Sequence, residues 1–232
     1  MNNLKPDWPA PDQVRALFTT REGGVSAAPY ASLNLAHHVG DEAGDVEDNR
    51  VSLHLPGTTH YLNQVHSNHC VCADELDGPV EADASFTRNP GNILAIMVAD
   101  CLPVLFTSRH GNIVGVAHAG WRGLANGVLE ETVSRLEDDD LLAWMGPAIG
   151  PCHYEVGDDV REHFASSLGF TRNSNERWQM DLYSIARSQL ESSGVEAFGG
   201  GYCTYCDEAR FFSYRRDGIT GRMAGFIWID ED

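Results

Sequence analysis

Apolar residues along this chain cluster in short blocks, with no single sustained rhythm. Ile93–Val98 is a continuous apolar run, the mark of a strand buried on both faces. Leu102–Phe106, Ile113–Ala117 and Leu141–Met145 read as further strands, the last stopped by Gly146-Pro147. Val14–Thr19, Tyr61–Val65, Phe211–Tyr214 and Ala224–Ile229 add shorter ones. Leu124, Val128, Leu129, Val133 and Leu136 recur at helical spacing and predict a helix over 124–136. Helices are also predicted over Asp45–Leu55, ended by Pro56, and over Val156–Leu168, closed by Gly169. A further helix is predicted over Leu182–Ser193, with Asp181 as its N-cap and Gly194 as its stop. Strands and helices interleave without strict alternation, which predicts an α+β fold of mixed sheets covered by helices. No internal repeat, low-complexity tract or linker appears, so a single domain over residues 1–232 is expected.

Composition narrows the partners. The chain carries 34 acidic and 16 basic side chains, a formal net charge of −18. Such a surface repels phosphate backbones and anionic lipids, so neither nucleic acid nor a membrane surface is expected as a partner. An anionic substrate would need a local group of arginines against this background. No run of 18 apolar residues predicts a membrane span. Met1-Asn2-Asn3-Leu4-Lys5-Pro6 has neither the positive nor the apolar region of a secretory signal, so a cytoplasmic location is expected. There the six cysteines, Cys70, Cys72, Cys101, Cys152, Cys203 and Cys206, are expected as thiols free for metal binding or catalysis. Without a coiled-coil heptad or an interface stripe, the expectation is a monomer.

Chemistry concentrates where strand-like runs end. His66 follows Asn63-Gln64-Val65, Cys101 follows Ala99-Asp100, and His118 follows Ile113–Ala117. Two imidazoles and one thiol form a ligand set for catalytic zinc, whose fourth vertex stays open to water or substrate. Copper(I) is the competitor for a set this soft. The separations are long, and spacing alone leaves open that these are ordinary buried residues. Asp100 is a candidate to support the ligands or to shuttle a proton, or a plain turn cap. Gly120-Trp121-Arg122-Gly123 reads equally as an anion-binding loop at a helix start and as a tight turn packed on Trp121. Thr19–Ser26 and Ser32-Leu33-Asn34-Leu35 offer small polar groups around Arg21, and Ser213–Gly218 gathers Arg215 and Arg216. Cys203-Thr204-Tyr205-Cys206 has Cys-x-x-Cys spacing, but Cys70-Val71-Cys72 is a poor match as a second zinc-binding pair.

Seven ordered motifs carry a family resemblance. They are Thr20-Arg21-x-Gly23-Gly24-Val25-Ser26, Ser32-Leu33-Asn34-Leu35, Asn63-Gln64-Val65-His66, Ala99–Val104, His118–Gly123, Gly146–Pro151 and Phe212–Arg216. Together they resemble the laccase-domain, or polyphenol-oxidase-like, family, now regarded as zinc purine nucleoside phosphorylases. The resemblance runs from about Arg15 to Ile229. It implies layered α/β/β/α architecture with mixed sheets, similar to the cytotoxic-necrotizing-factor-like fold. It implies a zinc ion on His66, Cys101 and His118, with these three also as the catalytic set. It implies phosphorolysis of adenosine, inosine, guanosine and 5′-methylthioadenosine with phosphate, and deamination of adenosine. Arg21, Ser32, Asn34, Arg122 and Arg215 are then the expected substrate-binding residues. Two other activities compete: a copper polyphenol oxidase, the family's older label, and a cysteine hydrolase with Cys101 as nucleophile.

Overall fold

The computed structural model describes residues 2–230. Its strands are β1 (Val14–Phe18), β2 (Thr58–Tyr61), β3 (Cys70–Cys72), β4 (Ala84–Thr87), β5 (Asn92–Val98), β6 (Leu102–Ser108), β7 (Val114–Ala119), β8 (Leu141–Met145), β9 (Glu155–Val156), β10 (Phe170–Arg172), β11 (Trp178–Met180), β12 (Glu196–Gly199) and β13 (Met223–Ile229). Its α-helices are α1 (Ala43–Ser52), α2 (Trp121–Ala125), α3 (Val128–Leu136), α4 (Asp158–Arg161), α5 (Leu182–Ser192) and α6 (Tyr214–Asp217). The fold is α+β with mixed sheets, as the sequence pattern predicts. A four-stranded sheet runs β1-β13-β5-β2 and a six-stranded sheet runs β12-β8-β6-β7-β4-β3.

Three apolar layers follow from the side-chain alternation of the central strands. Leu94, Ile96 and Val98 of β5 meet Leu105, Val114 and Val116 between the two sheets. Val104, Phe106, Ala117 and Ala119 face the other way and pack with Leu129 of α3 and Leu190 of α5. Ile93, Ala95 and Met97 turn outward against Leu33, Leu35 and the chain around Leu53. Because β5 and β6 are buried on both faces, they read as unbroken apolar runs.

Four elements depart from the expectation, each for a local reason. The helix over 124–136 is two helices, because Gly127 takes φ +79° between them. The helix over 156–168 shrinks to α4. Beyond it the His163 and Phe164 amides donate to Val160 and Arg161, three residues back, tightening the chain into turns. The strand over 61–65 ends at Tyr61, because the amides of Val65 and His66 are taken by a carboxylate, that of Asp83. Residues 211–213 form no strand, and Ser213 instead caps α6 by accepting from the Arg216 amide. Asp181 caps α5 as expected, accepting from the Tyr183 and Ser184 amides.

Leu105 is fully buried between the sheets. Leu105→Ala should cost about 2–5 kcal/mol through lost burial and a residual cavity, read as a lower midpoint in urea unfolding.

Candidate metal centre

The three expected ligands converge. Among the described residues, the ligand atoms of His66, Cys101 and His118 all lie within 4.8 Å of one another. Cys101 Sγ is 4.0 Å from His66 Nε2, and the two imidazole rings meet edge to face with centroids 4.8 Å apart. The placement follows from the strands. In the β6–β7 hairpin Leu102 pairs with Ala119 and Pro103 with His118, so Cys101 and His118 emerge at the same end. Cys101 lies opposite Gly120, where a Cβ would come within 2.8 Å of its sulfur. Only glycine fits that close approach.

His66 arrives from a loop, held by one carboxylate. Asp83, fully buried just before β4, accepts the backbone amides of Val65 (3.1 Å), His66 (2.9 Å) and Ser67 (2.6 Å), and the Ser67 hydroxyl (2.8 Å). Three successive amides can converge because His66 has φ +61°. The same carboxylate accepts from His118 Nδ1 at 2.8 Å, and the Asp83 carbonyl accepts the His118 amide at 2.7 Å. With Nδ1 engaged, Nε2 is the His118 atom left to bind an ion, the usual carboxylate–histidine–metal arrangement. Gln64 braces the loop from the other side, its amide bonded both to the carbonyl and to the N–H of Met97.

The charges suit a cation. Burial would push the Asp83 carboxyl up, but hydrogen bonds from His118 and Ser67 and the imidazole charge outweigh it and hold it at about 2. Burial would likewise raise the Cys101 thiol. Charge and hydrogen bonding from His118, with His66, bring it down to about 6. His118 is driven the opposite way: burial lowers it, but Cys101 and Asp83 raise it to about 9. Without an ion these values describe a thiolate–imidazolium pair. Binding of a cation would release the His118 Nε2 proton while Asp83 keeps the one on Nδ1. One thiolate and two imidazoles then fit a zinc-type ion with one vertex open.

The cluster forms one wall of a cavity of about 500 Å³, a size suited to small molecules. Arg122, Arg215 and Arg222 line it, with Asp100 as its one carboxylate. Arg122 lies over the Trp121 ring at 4.4 Å and Arg215 over Tyr154 at 5.1 Å, which restrains both guanidiniums. Asp100 is committed to structure on both oxygens: Oδ1 accepts from the Thr204 hydroxyl and Oδ2 from the Arg215 amide, each at 2.6 Å. Arg216 turns away and donates to the carbonyls of Thr204, Tyr205 and Phe211. Of Gly120–Gly123, Gly120 precedes α2 and the other three form its first turn; Trp121 packs on the helical layer, and both Trp121 and Arg122 line the cavity.

Of the expected substrate-binding residues, Arg122 and Arg215 line this cavity, whereas Arg21, Ser32 and Asn34 do not. Arg21 donates to the carbonyls of Ala31 and Glu208. The Ser32 hydroxyl accepts the Gly23 and Gly24 amides. Asn34 is fully buried and accepts the amides of Ala36 and of the cavity residue Arg222. Asn34 thereby steadies the backbone at Arg222, whereas Arg21 and Ser32 line a separate surface depression with Glu208. Sequence reasoning missed Asp83, Tyr154 and Arg222. For Asp83 the signal is slight: a carboxylate between two alanines, just before the short strand β4.

Comparison with known proteins gives the family. Residues 15–230 match the family described as multi-copper polyphenol oxidoreductase laccase, and the chain belongs to it. Its relatives carry a different label. "Purine nucleoside phosphorylase YfiH" of Escherichia coli K12 is 49% identical, with 97% of this chain and 98% of that protein covered. "Purine nucleoside phosphorylase PA4543" of Pseudomonas aeruginosa is also 49% identical, with 98% of each covered. Neisseria meningitidis protein NMB0706 has a crystal structure that superposes with a TM-score of 0.96 at 45% identity, covering 100% of both chains. YlmD of Geobacillus stearothermophilus superposes at 0.89 with 35% identity, over 97% of this chain and 94% of that one.

Asp83→Asn should weaken metal binding about 10–100-fold in a competition titration against a chromophoric chelator. The same carboxylate links stability to pH in chelator-treated protein. Its pKa falls from 3.8 unfolded to about 2 folded, so its contribution is present above 3.8 and is lost as pH falls through 2. The contribution is on the order of 2 kcal/mol. The stability gap between wild type and Asp83→Asn should therefore narrow over that interval in denaturant titrations; a gap independent of pH would contradict the linkage.

Proposed function

We propose that this chain is a zinc-dependent purine nucleoside phosphorylase that also deaminates adenosine. Its substrates are adenosine, inosine, guanosine and 5′-methylthioadenosine, with phosphate as co-substrate. The observation that carries the reading is the convergence of His66, Cys101 and His118 on the wall of a cavity that also presents three arginines. Relatives spanning nearly the whole chain and named purine nucleoside phosphorylases support it. His66, Cys101 and His118 would hold the ion, which supplies Lewis-acid polarisation at its open vertex when bound. Six free thiols and the lack of any described helix long and apolar enough to cross a membrane fit a reducing, cytoplasmic setting.

The chain's own groups then divide the work. Arg122 and Arg215 orient phosphate through charge-assisted hydrogen bonds, their planes set by Trp121 and Tyr154. In phosphorolysis a phosphate oxygen bonds to the anomeric carbon while the glycosidic C–N bond breaks and its electron pair leaves with the purine. Trp121, Tyr154 and Tyr214 offer aromatic surface for the base. Asp83 keeps the proton on His118 Nδ1, so Nε2 is the atom that would bind the ion, giving up its own proton as it does so. Asp100, saturated by Thr204 and the Arg215 amide, positions Arg215; its commitments make it a poor proton shuttle.

Two other activities are weaker. The copper-oxidase label calls for a histidine-rich cluster beside a Cys/His site. Among the described residues, the second group of metal-type ligands has three thiols and one imidazole. A cysteine hydrolase draws support from one observation, the low thiol pKa of Cys101 next to the His118–Asp83 pair. Activity in metal-free protein, abolished by stoichiometric alkylation of Cys101, would favour that hydrolase over the metal enzyme.

The test is incubation of purine nucleosides with and without phosphate, followed by chromatography. Free base should appear only with phosphate, and inosine should accumulate from adenosine. His118→Ala should lose the metal and both activities together; phosphorolysis persisting without bound metal would sink the scheme. Arg215→Ala should raise the KM for phosphate about 10–100-fold, the worth of a charged hydrogen bond, while the nucleoside KM changes little.

A further inference from the structure

A second group of metal-type ligands lies away from the cavity, on the far side of the loop that follows β8. Cys152, His153, Cys203 and Cys206 bring three sulfurs and one ring nitrogen within 4.8 Å of one another. Cys152 Sγ is 3.5 Å from Cys206 Sγ and 3.9 Å from Cys203 Sγ, and His153 Nδ1 is 3.2 Å from both Cys152 and Cys206. A tetrahedral zinc ion with Zn–S bonds of about 2.3 Å has S···S edges of roughly 3.8 Å. The four atoms therefore already stand near the corners of one coordination tetrahedron.

Three features show a built site beyond a chance meeting of thiols. The His153 ring stacks on Tyr205 at 4.1 Å with planes 11° apart, which fixes the direction of Nδ1. The Gly150 amide donates to Cys203 Sγ at 3.2 Å, the kind of hydrogen bond that steadies a thiolate ligand. A Cβ at Gly150 would press to 3.2–3.5 Å against Cys203 and the Cys152 sulfur, so the backbone itself closes one side of the group. The Cys-x-x-Cys pair at 203 and 206 thus has its partners in Cys152-His153. Cys70 and Cys72 belong to β3 and are not in the group. Cys70 is buried in the core beneath α3, away from these ligand atoms.

We propose that Cys152, His153, Cys203 and Cys206 form a structural zinc site, separate from the ion at His66, Cys101 and His118. Three thiolates and an imidazole fill all four vertices, so this ion has no open position and does no chemistry. Its place in the fold defines its role. It joins the 146–153 loop to the 200–206 segment, and both hold the chain next to Cys101. The Ile149 amide donates to the Asp100 carbonyl, the Thr204 hydroxyl donates to the Asp100 carboxylate, and the Thr204 amide donates to the Ala148 carbonyl. Zinc here locks the wall of the cavity from behind. The assignment does not depend on the nucleoside chemistry proposed above.

The test is metal analysis of the full-length protein purified anaerobically with a thiol reductant, joined to zinc X-ray absorption. Two zinc ions per chain are expected, with a sulfur-to-nitrogen ligand ratio near four to three when both sites are filled. The first site alone would give one ion and a ratio of one to two. Cys152→Ser/Cys206→Ser should keep one ion and lose the sulfur-rich component, while His118→Ala should lose the other ion and keep it. One zinc with two nitrogens per sulfur in the wild type would overturn the proposal without any variant. So would a disulfide among these cysteines in the anaerobic protein, a second ion surviving the double substitution, or copper in place of zinc. A protein that fails to phosphorolyse nucleosides yet carries both ions would leave this site standing and the proposed function refuted.

Discussion

The two oxygens of Asp83 accept three successive backbone amides, a serine hydroxyl and the Nδ1 proton of His118, all in a fully buried position. A carboxylate satisfied so completely is stable without water, whereas removing its partners would leave a costly buried charge. The constraint runs outward in two directions. It curls the 65–67 backbone so that His66 turns toward the cavity, and it sets the tautomer of His118. Two of the three ligands at the candidate centre thus depend on one side chain that would touch neither ion nor substrate. The third, Cys101, is placed by the hairpin that carries His118.

The central strands were legible because burial on both faces writes itself as uninterrupted apolar runs at 93–98 and 102–106. The α5 boundaries were legible from Asp181 and Gly194, since a cap and a stop are local chemistry. Errors fell where a long-range bond outweighed a local pattern. The 61–65 segment looks like a strand but surrenders the Val65 amide to Asp83, a residue 18 positions beyond it. The ligand trio was suggested by its position at strand ends, and by the family resemblance. Its convergence was not readable, because β-pairing register decides it. Arg21, Ser32 and Asn34 carry motif-like polarity, yet they serve the backbone of a loop. Polar residues that satisfy buried amides and polar residues that meet a ligand look alike in a sequence.

Charge is arranged against the average. The chain as a whole is strongly anionic, yet the cavity carries three guanidiniums and one carboxylate already engaged by two donors. Each of two arginines lies against an aromatic ring, which limits the rotamer entropy lost when an anion is grasped. The neighbouring Arg216 is spent on three backbone carbonyls, so adjacent identical residues have opposite duties. An acidic exterior around a cationic recess discourages polyanions while leaving a small anion a local welcome.

The hairpin of β6 and β7 has a further meaning for how this chain can change over time. Cys101 and His118 stand at its open end, and the turn at 109–113 closes the other. Residues gained or lost at that distal bend leave the facing pair undisturbed. A slip of one residue between the strands is different in kind. It would rotate the His118 side chain from the layer between the sheets to the side covered by α3. The bend bears on the pair only through the strands it joins, whereas the ladder has only one alignment compatible with the pair.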